Sequence, residues 1–128
     1  MLPLVLFSDD TSGNKSKMWH LFDSWSMVLA GLPRHENSKI SNIHFLCCSD
    51  SVSAMEMTEA IAPELICLEK KGIEAYDALQ QQPVLVVSPV MCIVADNPRA
   101  SEILNHLGGA ARKYCRICMV WIKIWPGI

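Results

Sequence analysis

From Val84 to Ala95 the chain is almost wholly apolar, and the run closes on Asp96. A short apolar run bounded by Pro83 on one side and an acidic residue on the other reads as a buried strand, although periodicity alone also admits a buried helix. The same signature occurs at the start of the chain. Leu2 to Ser8 is apolar, contains Val5 and Phe7, and runs into Asp9 and Asp10. Two strand-like runs tipped with carboxylates are the strongest constraint on what the chain folds into.

The segments between them fill in an order. Thr11 to Ser16 is turn-forming by composition, with Gly13-Asn14 as its pivot. Trp25 to Leu32 reads as a second strand, stopped by Pro33, and Asn42 to Cys48 as a third, with Ile43, Phe45 and Cys47 on one face. Three strands in succession suggest an antiparallel meander. A helix follows. Ser53 and Glu56 have capping-box spacing, Met55, Ile61, Ala62, Leu65 and Ile66 recur at helical spacing, and Lys70-Lys71-Gly72 supplies cations and a left-handed cap at the far end. Pro63 is expected to kink this helix or divide it. After Asp96, Asn97-Pro98 reads as an N-cap followed by proline at the first helical position, opening a helix that runs to about Leu107.

The order β-β-β-α-β, with acidic residues on the first and fourth strands, is the pattern of an α/β, RNase H-like mixed sheet, incomplete at its C-terminus. In such a sheet the first and fourth strands are neighbours, so Asp9 or Asp10 and Asp96 are expected to converge. Converging carboxylates suit Mg²⁺ or Mn²⁺, which take hard oxygen ligands. Two such ions about 3.5–4 Å apart clamp the attacking and leaving oxygens of a phosphodiester. The competing reading is structural: an Asp at a strand end is commonly a turn former or a helix cap, and Asp96 before Asn97-Pro98 suits that role. Asp23, Asp50 and Asp77 fall in loops or near turns, where the structural role is the stronger expectation.

Composition narrows the partners. A net charge of −2 over 128 residues gives no basic field, so any nucleic-acid contact is local. Arg112, Lys113 and Arg116 are better phosphate-contact candidates than the scattered Lys15, Lys17, Arg34 and Lys39. The opening Met1 to Phe7 is too short for a secretory leader, and no apolar run approaches the roughly 20 residues that span a bilayer. The expectation is an intracellular chain with no membrane partner, whose six cysteines are reduced or metal-bound. Cys115-Arg116-Ile117-Cys118 is half of a tetrahedral zinc site, with His106, Cys47 and Cys48 as further ligand candidates. A redox pair and ordinary buried thiols are the alternatives. Cys67 and Cys92 lie on apolar segments and are expected to pack as small hydrophobes. His20, His35 and His44 have no partner at ligand spacing.

Several blocks resemble a known family. Ser8 to Ser16 (SDDTSGNKS) and Leu29 to Pro33 (LAGLP) resemble the catalytic-domain opening of CACTA-type (En/Spm-like) transposases, especially their relatives in animals and fungi. Gly72 to Asp77, Ala95 to Pro98 and Tyr114 to Cys118 follow in the same order, so the resemblance covers about residues 3 to 119. It implies an RNase H-like core and metal-dependent DNA strand cleavage and transfer. It puts the first catalytic carboxylate on Asp9, with Asp10 as the alternative, and the second on Asp96. It makes Cys115 and Cys118 the start of a cysteine-rich, zinc-binding insertion at about 110–119. Transposon-end DNA as partner and a nuclear location follow from the same likeness. The family carries a third acidic residue on a later helix and an N-terminal DNA-binding region, and neither matches anything in this chain. The hydrophobic tail at 120–128 matches nothing in the family either. The expectation is a fragment of a transposase, binding metal weakly and inactive alone, or a transposon-derived zinc-binding interaction domain with no enzymatic role.

Overall fold

A computed structural model describes residues 1–12 and 21–106 of the chain. It is mixed α/β and divides into two compact units, Met1–Val94 and Ala95–Ile128. The first unit begins with an antiparallel meander. Strands β1 (Leu4–Ser12), β2 (Leu21–Leu29) and β3 (His44–Ser49) pair in sequence. A four-residue helix, α1 (Arg34–Asn37), and a 3₁₀ turn at Ile40–Asn42 connect β2 to β3. Helix α2 (Ala54–Lys70) follows, then a hairpin of β4 (Ile73–Asp77) and β5 (Gln82–Val86), then β6 (Val90–Ala95). Helix α3 (Asn97–Ile103) belongs to the second unit. The main sheet has the order β3-β2-β1-β6, and β4-β5 forms a separate two-stranded sheet.

The β1–β2–β3 meander is as the apolar runs predict, with shifted ends. β1 continues past Asp9 and Asp10 to Ser12, and β2 starts at Leu21 rather than Trp25. The two strands are in register from Leu4 opposite Leu29 to Ser12 opposite Leu21. Alternation then sorts the side chains. Leu4, Leu6 and Ser8 share a face with Trp25, and all four are buried. Helix α2 closes over Trp25, whose Nε1–H donates to the Ala54 carbonyl at 3.2 Å. Burying side chains of this size contributes roughly 1.5–3 kcal/mol each. Leu4, Leu6, Trp25, Val28, Ala54 and Met57 are therefore the anchors of this unit.

β3 departs from its expected sidedness. Trp25 lies opposite Cys47 and Ser26 opposite Phe45, so Leu46 is the extra residue of a β-bulge. The bulge puts Phe45 and Cys47 on opposite faces, where simple alternation puts them together. Phe45 is 65% exposed.

α2 is a single helix of 17 residues that runs through Pro63 without being divided. Both arms of its capping box are present: Ser53 Oγ accepts from the Glu56 N–H at 3.3 Å, and Glu56 Oε2 accepts from the Ser53 N–H at 3.0 Å. Its inward stripe is Ala54, Met57, Ile61, Leu65 and Leu68, spaced three or four apart. Met55 and Ile66, which share the helical period only approximately, face outward. The chain leaves the helix through Gly72 at φ +71°, the left-handed conformation that Lys70-Lys71-Gly72 predicts. A β-carbon there would lie 2.6 Å from the Val86 carbonyl oxygen, so only glycine lets the helix end this close to β5.

The run from Val84 to Ala95 is not one buried strand. It breaks at Val87-Ser88-Pro89, and the chain passes from the small sheet to the main one. Proline has no N–H for a ladder, which suits it to a boundary between strands. The Leu2 N–H donates to the Val87 carbonyl and the Leu4 N–H to the Pro89 carbonyl, both at 2.9 Å. The two bonds advance in the same direction along both segments, which makes the alignment parallel and the main sheet mixed. β6 occupies an edge, with β1 as its neighbour in the sheet. Met91, Ile93 and Val94 on it are exposed, where a buried run was expected.

Candidate metal centre

Asp9 and Asp10 lie within β1 rather than at its end, and both are exposed. Successive strand residues point to opposite faces. Asp10 shares the face of Leu4, Leu6 and Ser8, and Asp9 takes the other. Asp9 is opposite Ser24, whose hydroxyl donates to the Asp9 carbonyl oxygen at 3.1 Å. Asp10 is opposite Asp23. An ion held on one face of this ladder therefore has access to Asp9 or to Asp10, but not to both.

Asp23, expected in a loop or near a turn, is the third residue of β2. It lines an open cleft of about 290 Å³ with Ser49, Asp50, Ser51, Val52 and Ser53, beside the start of α2. The pairing of Asp10 with Asp23 depends on how many residues the β1–β2 connection holds, and composition does not supply that number. Asp77 has the structural role expected of it: its Oδ1 accepts from the Leu79 and Gln80 N–H groups at 2.8 and 3.0 Å and shapes the β4–β5 turn.

Asp96 is the next residue after β6 and is the N-cap of α3. Its Oδ1 accepts from the Arg99 N–H at 2.9 Å. The cap is therefore Asp96 and not Asn97, and Pro98 stands one position deeper in the helix than expected. α3 ends at Ile103, short of Leu107. The alternative structural role weighed for Asp96 is thus realised, with one carboxylate oxygen committed to it.

No protein family, curated protein or solved structure matches this chain.

In donor type, Asp9, Asp10 and Asp96 fit a hard divalent cation, because carboxylate oxygens are the ligands such ions prefer. Among the described residues, no three His, Cys, Asp or Glu side chains form a group able to hold a metal. Cys115 and Cys118 lie outside the described residues, as do Lys15, Lys17, His20, Arg112, Lys113, Arg116 and the tail at 120–128. Cys67 and Cys92 are exposed and do not pack as core hydrophobes. Cys67 falls off the inward stripe of α2, and Cys92 lies on the edge strand. Cys47 is partly buried, and burial, followed by the neighbouring Cys48 thiol, raises its pKa above the ordinary thiol value. A raised pKa leaves less thiolate, the form that binds metal. His35 and His44 are exposed, and Lys39 pairs with Glu36 at 2.6 Å. No helix among the described residues is long and apolar enough to cross a membrane.

Proposed function

We propose that this chain is part of an RNase H-like catalytic core of a CACTA-type DNA transposase, in which carboxylates on neighbouring strands bind Mg²⁺ or Mn²⁺ for phosphodiester chemistry. Strand order carries the reading. β1, which bears Asp9 and Asp10, has β6 as its sheet neighbour, and Asp96 directly follows β6 in the chain. The parallel alignment at the start of β1 is the second support. When bound, the ions would activate the attacking oxygen and stabilise the departing one. Of the chain's own residues, Asp96 offers the carboxylate oxygen not used in the cap, and β1 offers Asp9 or Asp10. The partner would be transposon-end DNA, in the nucleus. A net charge of −2 means that contacts to it are local.

Asparagine is as good an N-cap as aspartate, so Asp96→Asn preserves the start of α3 while removing the anionic ligand. Titration calorimetry with Mn²⁺ is expected to show affinity at least about tenfold lower in Asp96→Asn, a loss of roughly 1.4 kcal/mol. One of Asp9→Asn and Asp10→Asn is expected to behave likewise. Unchanged Mn²⁺ affinity in Asp96→Asn removes this site.

A second reading is favoured by the cap itself. If the role of Asp96 ends at the Arg99 N–H, the chain is a non-enzymatic, transposon-derived interaction domain whose metal is zinc on Cys115 and Cys118. Stoichiometric zinc in purified protein, together with no Mn²⁺ binding by the wild type, selects that reading.

A further inference from the structure

No further inference is drawn: the strongest candidate, the exposed apolar surface of edge strand β6 at Met91, Ile93 and Val94, carries nothing because nothing in the structure shows what covers it.

Discussion

Asp10 and Asp23 stand directly opposite each other in the β1–β2 ladder, two carboxylates on one face of the sheet. Like charges in that position repel, at a cost of about 0.2–1 kcal/mol. Without divalent ions, Asp10→Asn is expected to raise the midpoint of thermal unfolding slightly, and the gain should shrink as salt screens the pair. If Asp10 rather than Asp9 is the β1 ligand, adding Mn²⁺ reverses the order, because only the wild type then gains stability from binding. Melting curves at low and high salt, with and without Mn²⁺, read both effects. A variant less stable than wild type in metal-free, low-salt buffer would show that Asp10 makes favourable contacts that outweigh the repulsion.

Trp25 joins the sheet to α2. It is 1% exposed and donates its only N–H to the Ala54 carbonyl. Trp25→Phe keeps most of the packing but loses the hydrogen bond, which is worth about 1 kcal/mol. Trp25→Ala also leaves a cavity and is expected to cost about 3–5 kcal/mol. Urea unfolding should rank wild type above Phe and Phe above Ala. Equal losses in the two variants would mean that the indole N–H, and not the ring volume, holds α2 in place.

The start of α2 should be acid-sensitive. The Ser53 backbone N–H, and then its side chain, hold the Glu56 carboxyl below its ordinary pKa. A group whose folded pKa is depressed stabilises the fold above its unfolded value, and the contribution is lost as pH falls through the folded one. Wild type is therefore expected to be more stable than Glu56→Gln at neutral pH. The gap should close as pH falls from the normal carboxylate range to below the depressed value. Unfolding of both proteins from pH 7 to pH 2 tests this, and a gap that persists in acid would assign the difference to something other than the charge.

Gly72→Ala should be among the most damaging single substitutions outside the core. The left-handed backbone at φ +71° costs a non-glycine residue about 1–2 kcal/mol, and the added carbon meets the Val86 carbonyl oxygen at 2.6 Å. Chemical denaturation should show a loss above that range, because a backbone oxygen cannot swing aside. A loss of no more than about 1 kcal/mol would mean that the hairpin shifts to make room.

Local chemistry was legible in the sequence, and long-range register was not. The Ser53–Glu56 cap and Gly72 announce themselves because each feature acts within a few residues. The meander was legible because three apolar runs of strand length follow one another. The β4–β5 hairpin is marked in the sequence only by the short run Ile73 to Asp77 and the turn-forming Asp77, a weaker signal than the apolar run from Val84. That run reads as one buried strand because hydrophobicity reports burial only on average, and Pro89 marks where the chain changes sheets. The sidedness of β3 was hidden because one extra residue, Leu46, inverts the odd–even rule. Whether Asp96 or Asn97 caps α3 depends on which is the last extended residue, a backbone fact that both side chains suit equally. Asp10 opposite Asp23 follows only from counting across a paired ladder.

Pro63 sits in the interior of α2 with no N–H to offer the carbonyl of Glu59, one turn earlier. Glu59, Ala60, Pro63 and Glu64 are all on the solvent side. Water can therefore hydrate the orphaned oxygen, which is why an uninterrupted helix survives its proline. The same arrangement gives α2 a dry flank held by packing and a wet flank with a gap in its ladder, and the gap lies more than two turns from Ala54, where Trp25 fastens the helix start.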